Sequence, residues 1–372
     1  MKFREIRVGE LDDLIASGWY RRQKIIPITP SRALSQAINP NAYPNDIALL
    51  MAVAEDDSLA GFAGILPARL YLTCAEPERF FYNSCWWIDP GKGKRASMPL
   101  FYRILEITGE RLVLADMTMH TEQIVEATGR FRVQKPVEGI YLWFRGGAGT
   151  FLSRKSGYRP WVKLLASPVD LAINGIQHLR LQGMQKAAGS DNFTVRPASF
   201  EQQDVKAFVD RMYAGNPLTR RASDLEWVLR TPWLIPCKLC KKGAHQYPFS
   251  WKVESFVQYV LRIEYNQSLA GVAVVNFRDG IAKVPYLYVL PGSEASVAQA
   301  ILLWMLRQPV HGLLTWNQYL IRELNRLNLP AVLKRKVYKR TAYNLVLSEV
   351  LDTSFELQDG KRMLNIKEGH PV

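Results

Sequence analysis

WWIDPGKGKRASMPLF, residues 86–101, changes character three times in quick succession. Aromatic and β-type residues run to Ile88, and Pro90-Gly91 breaks the run. Gly93 follows among the cations Lys92, Lys94 and Arg95. Ala96 then leads into an apolar stretch in which Pro99 suits the first turn of a helix, where its missing N–H is harmless. The sense is strand, glycine-bearing turn, helix. Such a turn offers unpaired backbone N–H groups and the positive end of a helix dipole. Gly91 and Gly93 let the backbone come close to a ligand. An anion-binding turn is therefore expected here.

Outward from that turn, residues 47–54 and 59–66 read as two strands joined by Glu55-Asp-Asp-Ser58. Residues 80–88 form a third strand. A helix is predicted over 97–108, a strand over 111–115, a helix over 120–128, and a strand pair ending near Phe144. The same order recurs later. Ser58-Leu-Ala-Gly61 returns as Ser268-Leu-Ala-Gly271, and Pro90-Gly91 as Pro291-Gly292. Strands are predicted over 257–265, 269–277 and 283–290, then a helix over 294–307 with apolar residues at 3.6-residue spacing. A strand (312–316), a helix (318–327) and two strands (332–338, 343–347) complete the set. The repetition argues for duplication. The expected division is 1–165, a helix-rich connector over 166–192 with breaks at Gly175, Gly183 and Gly189, and 193–372.

The 372 residues are 48% hydrophobic and 22% charged, enough apolar material for packed cores and too much for a disordered chain. No secretory signal and no membrane-length apolar run is read, so a cytoplasmic protein is expected. The formal charge of +14 suits a phosphorylated cofactor, nucleic acid, anionic lipid or an acidic carrier protein, and equally an ordinary lysine-rich surface. Of four cysteines, Cys237 and Cys240 have metal-type spacing with His245 nearby. A structural zinc site needs four ligands and no fourth is close in sequence, so no metal is expected.

The element order, with residues 86–101 and VLADMTMHTEQIVEATGRF (113–131), resembles the GCN5-related N-acetyltransferase (GNAT) superfamily. The resemblance implies an α/β fold of two tandem GNAT-like (acyl-CoA N-acyltransferase) domains, each a mixed, mostly antiparallel sheet flanked by helices. It implies acetyl-CoA or another acyl-CoA as co-substrate. It places cofactor contacts at Trp87, Ile88, Gly91, Lys92, Gly93, Lys94, Arg95 and Ala96. The family's spaced Arg/Gln, Gly and Gly/Ala positions fall on Gly93, Ala96 and Met98, an imperfect match. The second half's turn, PGSEAS (291–296), has no cation and carries Glu294, so that half is expected to have lost thioester binding.

The family's usual acid, a tyrosine four residues before the Gly of a Gly-aromatic pair, is Val125 here, counted from Gly129. Asp116 at a strand end, His120 in a helix's first turn and Tyr82 on the cofactor strand are the candidate catalytic residues. Histidine titrates near neutrality, although a lone histidine at a helix start also serves as a surface or capping residue. Tyr82 and Cys85 are expected on opposite strand faces from their odd spacing. Residues 27–46 and the aromatic-rich 247–256 are candidates for acceptor recognition. The leading reading is acyl transfer to an amine or hydroxyl of a small or sugar-like acceptor. A Fem-like peptidyl transferase using aminoacyl-tRNA, or a non-catalytic module keeping the fold, are the alternatives.

Overall fold

The computed structural model describes residues 1–71, 77–146, 160–187, 193–214, 220–236, 246–249 and 252–348. In chain order the first elements are β1 (Lys2–Arg7), α1 (Leu11–Ala16), α2 (Gly18–Arg22), α3 (Pro30–Ala37), β2 (Ile47–Val53), β3 (Leu59–Leu70), β4 (Glu78–Ile88) and α4 (Ser97–Ile107). Then come β5 (Leu112–Ala115), α5 (Met119–Ala127), β6 (Phe131–Val133), β7 (Val137–Trp143), α6 (Pro160–Ala187), β8 (Phe193–Ala198), α7 (Gln203–Ala214) and α8 (Ala222–Arg230). The short strands β9 (Ile235–Pro236) and β10 (Lys252–Val253) precede β11 (Phe256–Tyr265), β12 (Ser268–Arg278) and β13 (Ile281–Val289). The chain continues through α9 (Glu294–Leu306), β14 (Gly312–Thr315), α10 (Gln318–Leu327), β15 (Leu333–Lys339) and β16 (Thr341–Asn344).

These elements form two compact units that are not the two sequence halves. The first holds Met1–Pro136, Tyr213–Phe256 and the chain from Lys339 on; the second holds Val137–Met212 and Val257–Tyr338. Strand pairing explains the difference from the 1–165, 166–192 and 193–372 division. Among the described residues, the first unit's seven-stranded sheet runs β1-β2-β3-β4-β5-β16-β6, so the C-terminal strand fills the place between β5 and β6. The second unit's sheet runs β15-β7-β14-β13-β12-β11-β8. Strand β7, which follows β6 directly, pairs antiparallel with β14 (Trp143 opposite Gly312), while β16 pairs with β5 (Thr341 opposite Ala115) and β6 (Asn344 opposite Phe131). Each half of the sequence thus lends the other a strand. Both sheets mix parallel and antiparallel pairs.

In the first unit the β2 residues Leu50 and Ala52 pack with α4, whereas Leu49, Met51 and Val53 pack with α1–α3. This period-2 division explains the unbroken apolar run of β2: both faces are covered. Thr29 caps α3 by accepting from the Arg32 N–H at 3.3 Å, and Thr118 caps α5 by accepting from Thr121 N–H at 3.1 Å. Gly129, at φ +62°, ends α5 in the left-handed conformation that only glycine takes without strain. In the second unit α9 and α10 pack on one sheet face through Val297, Ile301, Met305, Leu320 and Leu324.

The connector region forms the single helix α6. Gly175 and Gly183 lie within it and a Cβ on either would meet nothing, so they do not break it. Gly189 lies outside the described residues. The repeated Ser-Leu-Ala-Gly has a common structural cause. Ala60 and Ala270 accept from the N–H of Asp89 and Leu290, at 2.9 and 3.0 Å, where each long strand enters its turn. A Cβ on Gly61 would stand 2.8 Å from Ile88, and one on Gly271 3.0 Å from Val297.

Candidate active site

In the first unit β4 pairs with β5 only over Phe81–Asn83, opposite Leu112–Leu114. Beyond Asn83 it stays paired with β3 alone, through Cys85, Trp86, Trp87 and Ile88. The two parallel strands therefore part, and among the described residues no strand pairs with that edge of β4 along the stretch that leads to the glycine turn. The parting coincides with a bulge. Gly64 faces Cys85 and Ile65 faces Asn83, leaving Ser84 as the extra residue.

That bulge corrects one expectation. Phe81, Trp86 and Ile88 face α4, whereas Tyr82, Cys85 and Trp87 lie on the opposite face. The extra residue restores the phase, so Tyr82 and Cys85 share a face despite their odd spacing. Tyr82 packs edge-to-face on Phe80 with centroids 5.0 Å apart. Trp86 stacks on Phe101 of α4, and Trp87 packs against Phe62.

The turn is more self-contained than its sequence suggests. The Asp89 carboxylate accepts from the Gly91 and Lys92 N–H groups at 2.9 and 2.8 Å, and the Asp89 carbonyl accepts from Gly93 N–H at 2.9 Å. These amides are already paired, contrary to the expected unpaired donors, because an Asx-type turn follows directly from Asp89-Pro-Gly. Lys92 also turns away: its ammonium pairs with Asp56 and donates to Ser58 Oγ. The Asp56 carboxyl is held well below the usual carboxylate range by the hydrogen bond from Lys92, then by those from Ser58. Lys94 and Arg95 are exposed where the chain enters α4, and neither makes a hydrogen bond or ion pair among the described residues. Ala96 is buried under the turn. Gly93 is enclosed: a Cβ there would stand 2.1 Å from the Ala60 carbonyl oxygen.

Asp116, at φ +58°, follows β5 and is exposed, as is His120 in the first turn of α5. Among the described residues no hydrogen bond or ion pair joins them. Val125 is wholly buried.

The structure does bring the two acceptor-segment candidates together. Arg32 of α3 donates from Nη1 to Tyr247 Oη at 2.8 Å. Its guanidinium carbon lies 4.3 Å from the Trp233 ring centroid. Around them, Trp227 Nε1 donates to the Ser35 carbonyl at 2.7 Å and Asn41 Nδ2 to Asp224 Oδ1 at 2.9 Å. Helix α3 is inside-out: Arg32, Ser35 and Gln36 are buried while Leu34 and Ile38 are exposed. Arg32 and Gln36 escaped the sequence reading for that reason, since charged and amide side chains on a short helix read as surface. Trp251, Cys237, Cys240 and His245 lie outside the described residues. Among the described residues no group of three or more His, Cys, Asp and Glu could hold a metal, and no helix is long and apolar enough to cross a membrane.

The second unit repeats the parting of strands. Strand β13 pairs with β14 over Ile281–Lys283 only and continues to Val289. Its turn is shorter, residues 290–293 against 89–96. It enters α9 with Gly292 at φ +87° and Glu294 in the first helical turn.

No protein-family model matches the sequence, and no curated protein matches it. Solved structures do match the fold. A conserved protein of unknown function from Enterococcus faecalis, for which N-acyltransferase activity is suggested, aligns with 93% of this chain and 73% of its own, at TM-score 0.50 and 10% identity. A GCN5-related N-acetyltransferase from Kribbella flavida aligns with 91% and 71%, at TM-score 0.49 and 11% identity. Saccharomyces cerevisiae N-myristoyltransferase with bound myristoyl-CoA aligns with 92% and 82%, at TM-score 0.49 and 9% identity. The chain has the GNAT fold, in two copies with mixed seven-stranded sheets flanked by helices.

Proposed function

We propose that the first unit transfers an acyl group, acetyl in the simplest case, from an acyl-CoA to an amine or hydroxyl of a small or sugar-like acceptor. One observation carries the reading: β4 leaves β5 at Asn83 and runs, open along one edge, into a turn whose two uncommitted cations stand at the start of α4. An open strand edge can hydrogen-bond an extended amide-bearing arm such as pantetheine. Lys94 and Arg95 supply positive charge for a diphosphate, aided by the α4 dipole. Glu294 gives the second unit the opposite sign at the corresponding place. The polar face of α3 with Tyr247 lies on the same side of β4 as Tyr82 and Cys85, which supports acceptor binding there.

Isothermal titration of acetyl-CoA into the intact protein tests the reading. We expect micromolar binding that weakens about tenfold or more in Lys94→Ala/Arg95→Ala, on the scale of two charge-assisted contacts. Unchanged affinity in that variant, or no binding by the folded wild type, overturns it.

A further inference from the structure

We propose that the Tyr247 hydroxyl donates the proton to the thiolate released at the β4 opening, with Arg32 as its positioning and charge-balancing partner; this rests on the reading of the first unit as the thioester site. In the transfer, the acceptor's nitrogen or oxygen forms a bond to the acyl carbon. The C–S bond breaks with its electron pair on sulfur. The sulfur takes the phenolic proton, and the phenolate is reprotonated by the proton that the acceptor loses or by solvent. A positioned acid contributes to such a step because an alkyl thiolate is a modest leaving group at neutral pH.

Four observations converge on Tyr247. Val125 occupies the helix position from which the resemblance would supply an acid, and it is fully buried and apolar. Tyr247, 8% exposed, packs in one cluster with Cys85 and stacks on Phe62 with ring centroids 6.0 Å apart. Cys85 is two residues past Asn83, where β4 parts from β5, so the cluster that holds Tyr247 packs on that stretch of β4. Arg32, 3% exposed, donates to the phenolic oxygen at 2.8 Å. An oxygen that accepts from Arg32 turns its own hydrogen toward Cys85, with whose side chain it shares a hydrogen bond, and the guanidinium lies beside the charge that would form once that hydrogen leaves. Gln36, one helical turn beyond Arg32 and 2% exposed, has an Oε1 without a hydrogen-bond partner among the described residues. That face of α3 therefore retains acceptor capacity that a bound nucleophile's N–H or O–H would meet.

The titration behaviour agrees. Burial, followed by the neighbouring Cys85, holds the Tyr247 hydroxyl well above its ordinary value, and Arg32 opposes this. The phenol is thus protonated at neutral pH, and its conjugate base has a counter-charge in place.

A purely structural role, tying residues 246–249 to α3, predicts something different, and leaving-group dependence separates the two. Thiol release from acetyl-CoA, with hydroxylamine as a small acceptor, is compared with release from S-phenyl thioacetate, whose thiophenolate departs without an acid. In Tyr247→Phe, kcat with acetyl-CoA is expected to fall about 100-fold, while release from the phenyl thioester changes less than threefold. Acetyl-CoA affinity by titration stays at the wild-type value. Equal loss with both thioesters, or no loss with acetyl-CoA, overturns the proposal while leaving the binding reading intact. A folded wild type that neither binds acetyl-CoA nor releases its thiol overturns both.

Discussion

Gly93 sits so close under Ala60 that a Cβ would lie 2.1 Å from the Ala60 carbonyl oxygen and 2.8 Å from the Asp89 nitrogen. Both neighbours are backbone atoms, which cannot rotate away. Gly93→Ala is therefore expected to shift the turn between β4 and α4 and to destabilise the protein by about 2 kcal/mol or more, the scale of overpacking a filled site. Acetyl-CoA affinity should fall with it. Gly129→Ala is the contrast: a Cβ there meets nothing, and only the φ of +62° is unfavourable. We expect about 1 kcal/mol, with acetyl-CoA binding retained. Denaturant midpoints and titration on the two variants check the pair.

The Asp89 carboxylate occupies the Gly91 and Lys92 amides as an anion would. Asp89→Asn keeps a side-chain oxygen for the turn and removes the charge. Diphosphate binding, probed with ADP, should tighten about fivefold, corresponding to roughly 1 kcal/mol for relieving one exposed like-charge interaction. The gain should shrink in 0.5 M salt (on the order of a 4–5 Å screening length). Equal affinity of the two proteins at low salt would show that this turn is not the diphosphate site.

Burial pushes Tyr213 up to about 12 and holds Tyr20 and Tyr247 well above the ordinary tyrosine value. Their neutral forms are favoured in the folded state. An unfolded tyrosine ionises near pH 10, so between about pH 10 and 12 the unfolded chain binds fewer protons than the folded one. The stabilising contribution is complete below pH 10 and is lost as pH rises through that window. Absorbance at 295 nm should show some of the sixteen tyrosines ionising only in the alkaline unfolding transition. Tyr213→Phe should make stability less steep between pH 10 and 12, measured by urea denaturation at stepped pH.

A fragment ending at residue 165 lacks the strand between β5 and β6. Tyr343, fully buried on β16, is among the residues it loses. We expect this fragment to show no cooperative unfolding and to expose apolar surface to dye. A peptide spanning residues 338–348, supplied in trans, should restore a transition. In the intact chain Tyr343→Ala should cost about 3–5 kcal/mol, as large aromatic deletions in cores do. Calorimetry reads both.

Local patterning made most elements legible. The apolar run of β2 and the 3.6-residue spacing of α9 placed strand and helix within a residue or two, and the repeated Ser-Leu-Ala-Gly marks the same strand-to-helix packing in both units. What was hidden depends on partners far away in sequence. Nothing local to residues 341–344 says that they pair with Ala115 and Phe131. The Ser84 bulge, which puts Tyr82 and Cys85 on one face, depends on register against β3. Arg32 was unreadable because its burial is set by Tyr247, 215 positions later. At the turn, glycines and cations were evident, but the capture of two amides by Asp89 and of Lys92 by Asp56 emerged only in three dimensions.

The late arrival of β16 also has a meaning for biosynthesis. Strand β6 ends at Val133 and β16 begins at Thr341. At ~5–20 residues per second, a ribosome takes roughly 10–40 s to translate the stretch between them. Throughout that interval β5 and β6 each present an unsatisfied edge to the crowded cell, a template for association with neighbouring nascent chains. Production in hosts with depleted chaperones should therefore yield aggregates seeded from the N-terminal portion.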